Sequence, residues 1–169
     1  KYPHRLIKSK NIGYRRGCNL GSSVAKGKYL VFLNPDTYLD NNYLKDIVQS
    51  YESIEINTGQ PIGCINSQIR SFGTITNLSP ANVNSIIDIF GNPRGRKSNT
   101  RTNDSFVVLG TGIFISRTVF LNSGGFHPYI FLYGEELDLC WRLKNTNHLI
   151  TTVDKPILYH QGSGSFGKN

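Results

Sequence analysis

Methionine is absent from the 169 residues. A translated chain normally opens with one, so the expectation is a fragment, a processed chain or a trimmed one. Cysteine is scarce and odd in number. Cys18, Cys64 and Cys140 lack the spacing of a zinc site and cannot all pair, which argues against a disulfide framework and for a reducing compartment. No apolar run reaches the roughly 18 residues of a membrane span, and no signal peptide is visible. Internal repeats and low-complexity tails are missing too. Acidic residues are few, 11 against 19 Lys and Arg, for a net charge of +8. Such an excess suits an anionic partner: nucleic acid, an anionic membrane surface or a phosphorylated small molecule. The basic residues form no stripe with interleaved aromatics, so nucleic-acid binding rests on charge alone.

What is present alternates between strand and helix patterns. Arg5-Leu6-Ile7 is a short strand candidate. A glycine-punctuated polar loop, Asn11 to Gly21, follows, with Asn19 placed to cap a short helix that Gly27 stops. Glycines there allow close backbone approach to a ligand, or merely connect a strand to a helix. Tyr29-Leu30-Val31-Phe32-Leu33 is a continuous apolar run, the signature of a strand buried on both faces. It ends in Asn34-Pro35-Asp36, where Pro35 stops the ladder. Asp36 then lies beyond the carboxyl end of a central strand, the edge at which open α/β sheets bind ligands, unless it only caps a turn. Asp40 opens a helix with Leu44, Ile47, Val48 and Tyr51 on one face. Ile62 to Asn66 is a second buried strand.

From Ser67 to Asp104 the periodicity degrades, and Arg94, Arg96, Lys97 and Arg101 cluster there. An irregular insert of that length is either functional or a solvated loop. Phe106 to Ile115 reads as a strand pair or a bent strand hinged at Gly110-Thr111-Gly112. A helix over 117–122 precedes Gly124-Gly125, and strands follow at 150–153 and 157–159. The second ends in His160, either a metal ligand or a surface residue.

Glu135 and Glu136 open a further helix, where acids complement the dipole. At about 100° per residue, Glu136 shares an arc with Leu139, Cys140 and Leu143. Glu135, Asp138 and Arg142 share a different, polar arc. Glu136 is therefore expected to face the interior or a cleft and Glu135 to turn away. An inward carboxylate must be paired, bind a metal or work as a base. Asp36, Glu136 and His160 all end elements, where a shared edge can gather them. A hard divalent cation would take Asp36 oxygen and, if Mn²⁺, His160 nitrogen, leaving Glu136 as general base.

Three blocks then carry a resemblance across nearly the whole chain: Asn11-x-Gly-x-x-x-Gly-x-Asn-x-Gly21 with Ala25-x-Gly27, Tyr29 to Thr37, and Gly124-Gly-Phe with Phe131-x-Tyr-x-Glu-Glu-x-Asp-Leu-Cys-x-Arg142. The sequence resembles the family 2 inverting glycosyltransferases of the GT-A fold, particularly the bacterial rhamnosyltransferase-like branch. The resemblance implies one α/β domain over residues 1–169, a three-layer α/β/α sandwich around a mostly parallel sheet. The family's first βαβ unit has no counterpart, so the chain is expected to be N-terminally truncated and inactive alone. Asn34-Pro35-Asp36 occupies the place of the family's D-x-D motif. The resemblance makes Asp36 and His160 the metal ligands (Mn²⁺ or Mg²⁺) and Glu136 the catalytic base. It places Asn11, Gly13, Gly17, Asn19, Asn34, Asp36 and Gly112 on the donor side, and Phe131, Tyr133, Glu135 and Trp141 on the acceptor side. The implied donor is a nucleoside-diphosphate sugar. The implied acceptor is a saccharide, free or lipid-linked, in cell-surface polysaccharide synthesis, with a cytoplasmic location, peripheral contact with an anionic membrane and no nucleic acid. Two alternatives stand: a non-catalytic GT-A relative acting as a scaffold, and a metal-dependent nucleotidyltransferase.

Overall fold

The apolar run Tyr29–Leu33 forms strand β1, whose alternation serves two cores at once. Leu30 and Phe32 join one cluster, while Tyr29, Val31 and Leu33 pack against the other. A strand buried on both faces needs helices on both sides, and the sheet has them. The computed structural model describes residues 4–72, 105–130 and 134–161, with strands at 77–79, 83–87 and 93–97.

The elements run α1 (Tyr14–Val24), β1, β2 (Thr37–Leu39), α2 (Tyr43–Thr58), β3 (Ile62–Ser71), β4 (Asn77–Ser79), β5 (Val83–Ile87), β6 (Pro93–Lys97), β7 (Gly112–Ser116), α3 (Arg117–Asn122), α4 (Glu135–Asn145) and β8 (Leu149–His160). The main sheet has the order β1-β7-β3-β8-β2, with β4 beside β3. On one face, Tyr43, Ile47 and Tyr51 of α2 pack against Ile62, Ile65, Ile69, Phe114 and Leu158. On the other, Phe120 of α3, Phe126 and Leu139, Cys140 and Leu143 of α4 cover Leu30, Phe32, Cys64, Ile113 and Ile115. Three layers result, in agreement with the α/β sandwich read from sequence.

The expected mostly parallel pairing is corrected. Among the described residues only β3 and β8 pair in parallel, and β1–β7, β3–β7, β2–β8 and β3–β4 are antiparallel. The cause is β7, inserted in the reverse sense between β1 and β3. Those two strands still run the same way as β8. Their directions match although they never touch, so the carboxyl ends of β1, β3 and β8 lie toward one edge of the sheet.

Several local expectations also change. Residues 5–7 form no strand, and Leu6 is 75% exposed. The first helix begins at Tyr14 with Gly13 as its N-cap rather than at Asn19. Leu44 turns outward from α2, and Tyr43 takes its place in the core. The segment 67–104 is not wholly irregular: β3 continues to Ser71, and β5 and β6 pair as an antiparallel two-stranded sheet. Of the basic cluster, Arg94, Arg96 and Lys97 fall on β6, while Arg101 lies outside the described residues. Residues 106–111 carry no strand, so only Gly112–Ser116 of the hinged pair is regular. The two late strands are one, β8. None of the described helices is long and apolar enough to cross a membrane.

Candidate active site

Asp36 and His160 arrive from opposite directions. β1 ends at Leu33, the chain turns through Asn34-Pro35-Asp36, and β2 pairs antiparallel with the end of β8, Thr37 opposite His160. The turn is tied down locally. The Asn34 amide donates to the Thr111 carbonyl at 3.4 Å, the Thr37 hydroxyl donates to the Asn34 carbonyl at 2.7 Å, and the Gln161 amide donates to the Asp36 carbonyl at 3.0 Å. This places His160 Nε2 3.3 Å from Asp36 Oδ1, both side chains about one-fifth exposed.

That separation suits two donors on one ion. Ligand atoms at about 2.1 Å from a six-coordinate cation and at right angles to each other lie about 3 Å apart. One carboxylate and one imidazole suit Mn²⁺, and Mg²⁺ less well. The described residues contain no group of three His, Cys, Asp or Glu side chains that could hold a metal. A cation held by these two side chains alone would keep coordination positions open to other oxygen ligands.

Glu136 sits at the start of α4, facing the segment that feeds β7. A Cβ placed on Gly110 would lie 3.6 Å from the Glu136 carboxylate. Thr111, the next residue, accepts the Asn34 amide. The turn carrying Asp36 and the segment facing Glu136 are thus joined by a backbone hydrogen bond. Asn66, fully buried on β3, fixes the same segment by donating from Nδ2 to the Leu109 carbonyl at 2.7 Å. Burial pushes the Glu136 carboxyl above the ordinary carboxylate range. Its own backbone amide opposes the shift, the Glu135 charge adds to it, and Arg15 opposes it.

The expectation that Glu135 turns away from the interior is corrected. It is 8% exposed, more buried than Glu136, and its Oε2 lies 3.5 Å from Nε of Arg15, itself 2% exposed. Periodicity reports a residue's angle to its own helix's apolar stripe. It carries no information about α1, whose side chains bury the first turn of α4. Glu135 is therefore not on an open acceptor face. Trp141 stands about 140° around the helix from Glu136. It is half exposed and packs edge-on against Phe106 at 5.5 Å, away from the carboxylate. Phe131 and Tyr133 lie outside the described residues.

The donor-side residues separate into groups. Asn11 and Gly13 line a cleft of about 300 Å³ with Ile12, Arg15, Arg16, Pro128, Tyr129 and Ile130. The Gly13 φ of 81° favours glycine, and its amide donates to Asn11 Oδ1 at 3.1 Å. Gly17 stands on α1 with open space where a side chain would be. Asn19 is occupied elsewhere: its Nδ2 donates to the Phe126 carbonyl at 2.7 Å, and its Oδ1 accepts the Phe126 amide at 3.0 Å. Gly112 is buried in the sheet, where a Cβ would meet Leu158 Cδ1 at 2.5 Å. The glycine facing Glu136 is Gly110.

Asn19 anchors the chain that leads to Glu136. Asn19→Ala leaves both Phe126 backbone groups unpaired in a partly buried place, and a loss of about 2–3 kcal/mol in unfolding free energy by urea titration is expected. Asn19→Asp keeps the acceptor and should lose less.

Sequence reading missed Arg15, Asn66 and Gly110 as parts of this arrangement. Two of them offered a signal: Asn66, a polar residue closing an apolar strand, and Gly110, in the Gly110-Thr111-Gly112 hinge of which only Gly112 was placed in the site.

No protein-family model matches the chain, and no curated protein does. Solved structures do. The chain is similar to GalNAc-T7 crystallised with UDP, GalNAc and Mn²⁺ (TM-score 0.71, 16% identity), over 90% of this chain and 31% of that one. It is similar to Staphylococcus aureus TarS 1–349 (TM-score 0.59, 10% identity), over 91% of this chain and 42% of that one. A longer TarS structure gives 0.59 and 12%, over 93% of this chain and 26% of that one. These are GT-A glycosyltransferases, and the likeness shows that this chain has the GT-A fold. The chain spans less than half the length of each.

Proposed function

We propose that this chain is the GT-A portion of an inverting glycosyltransferase that moves a sugar from a nucleoside-diphosphate donor to a hydroxyl acceptor. The observation that carries the reading is the joined pair of centres at one sheet edge: Asp36 beside His160, and a half-buried Glu136 against Gly110. The GT-A fold supports sugar transfer at the coarse level.

A divalent ion bound by Asp36 and His160 would neutralise the charge developing on the departing diphosphate. The chain's own residues do the rest. Glu136 takes the proton of the acceptor hydroxyl, the freed oxygen attacks the anomeric carbon, and the bond to the diphosphate oxygen breaks on the opposite face. One displacement inverts the configuration. Burial of Glu136 strengthens it as a base, since a raised carboxyl holds the proton more tightly once it has taken it. Asn11 and Gly13, in the cleft with Arg15 and Arg16, face the donor. The positive net charge suits both the donor phosphates and an acceptor carried on a lipid at an anionic cytoplasmic membrane face. Bacterial cell-surface polysaccharide synthesis by a family 2, rhamnosyltransferase-like enzyme is the setting that fits these partners.

The test is transfer or hydrolysis by the complete protein across a panel of nucleotide sugars, with Mn²⁺ or Mg²⁺ added. Turnover of at least one donor, lost on chelation, is expected. Folded protein that turns over no donor with any saccharide acceptor would count against the enzyme and favour the scaffold reading.

A further inference from the structure

We propose that Arg15 is a positioning residue: from α1 it holds Glu135 in a buried ion pair, so that Glu136 works beside a neighbour whose charge is already matched. This rests on the reading of Glu136 as the base.

The geometry is unusual for a pair that serves only the fold. Arg15 and Glu135 are 2% and 8% exposed, with Nε and Oε2 3.5 Å apart. The Arg15 Nη1 donates to the His127 carbonyl at 3.4 Å, which ties the same guanidinium to the chain just ahead of α4. Yet Arg15 Nε and Nη2 and Glu135 Oε2, all buried, have no hydrogen-bond partner among the described residues. The pair is held by charge attraction and packing. A buried ion pair adds little to stability compared with apolar side chains of the same volume, and breaking it by removing one partner is strongly destabilising. Stability alone therefore gives no reason for charge at 15 and 135.

The reason lies next door. Among the described residues, the groups facing Glu136 are Glu135 on its own helix, Tyr14 and Arg15 from α1, and the backbone at Gly110, which brings no ionisable side chain. Burial pushes the Tyr14 phenol up, and it pushes the adjoining Cys18 thiol up to about 11. Both are neutral at physiological pH. The formal charges at Glu136 are then Glu135 and Arg15, of opposite sign. With both present they offset. With Arg15 removed, two carboxyls share one buried corner and must titrate as a pair, the first proton binding at higher pH.

The experiment is a ¹³C-carboxyl NMR titration of the complete protein with labelled glutamate, the Glu136 resonance being identified by its loss in Glu136→Gln. In Arg15→Gln the Glu136 midpoint should rise by about one pH unit or more. Arg15→Lys should keep most of the native value, and the double variant Arg15→Gln/Glu135→Gln should return toward it. The acid limb of the kcat/KM profile should move in step. An unmoved Glu136 midpoint in Arg15→Gln overturns the proposal. If that variant does not fold, the double variant carries the test, and a midpoint there as high as that of an unmatched carboxyl pair overturns it. The base reading fails separately, if Glu136→Gln transfers sugar at the native rate, whatever the titration shows.

Discussion

Replacing Glu136 with Gln is expected to lower sugar transfer by about two to four orders of magnitude, the range that a positioned base contributes. Donor affinity should change little, because the amide has nearly the carboxylate's shape and Glu136 does not line the cleft that holds Asn11 and Gly13. The loss should appear in kcat, since the proton is moved only in the transition state. A scaffold protein of the same fold predicts no loss, so native transfer by Glu136→Gln would end the catalytic assignment. The pH profile carries a second signature. Burial raises the Glu136 carboxyl, so transfer should fall as pH drops through a value above the ordinary carboxylate range.

The sign for stability is the reverse of the sign for activity. A carboxyl whose folded value lies above its unfolded value costs the fold free energy once pH exceeds both, and that cost disappears only as pH falls below the unfolded value. At neutral pH Glu136→Gln should therefore leave Tm unchanged or raised. A variant that loses both activity and Tm would point to a damaged fold instead.

Asp36→Ala should have the next largest effect, on metal dependence. If Asp36 is a ligand as proposed, its removal ought to weaken Mn²⁺ by more than the about 10–100-fold that loss of an outer-shell partner costs. The Mn²⁺ concentration giving half-maximal transfer should rise accordingly, and direct Mn²⁺ binding by electron paramagnetic resonance should weaken in parallel. His160→Ala should act in the same direction. The competing account is that Asp36 and His160 form only an ion pair across β2 and β8. Under that account Asp36→Ala lowers Tm, and the metal requirement stays where it was.

The three-layer α/β sandwich was legible because β1 announces itself, while GT-A was legible only through the resemblance of the motif blocks. An apolar run of five residues with no alternation implies cover on both faces, and the helices that supply it, α2 and α4, carry clear amphipathic patterns. The meeting of Asp36 with His160 was legible for a related reason, since each closes a strand and strand ends gather at an edge. What escaped were facts that belong to pairs of elements. Glu135 reads as solvent-facing on its own helix and is buried by Arg15 of another. Asn19 looks like a cap or a ligand residue and is spent on the backbone of Phe126. Gly112 looks like a close approach to a ligand and makes one to Leu158. The reversed direction of β7 was illegible too, because a buried strand has the same pattern whichever way it runs.

β1 and β2 stand four places apart in strand order, and only Asn34, Pro35 and Asp36 separate Leu33 from Thr37. In a flat sheet four places measure about 19 Å, at about 4.8 Å each. Four fully extended chain steps cover about 14 Å at most. The arithmetic closes only if the sheet curls until its two flanks approach across the ends of β7 and β3. The register shift between Ser67 and Gln68, where β3 and β8 slip against each other, lies where such a curl can be taken up. Asn34-Pro35-Asp36 does not even reach that extended length, because it turns, with the Thr37 hydroxyl on the Asn34 carbonyl at 2.7 Å. The flanks must therefore stand closer than an extended connection would require, and it is this short, folded link that delivers Asp36 to His160.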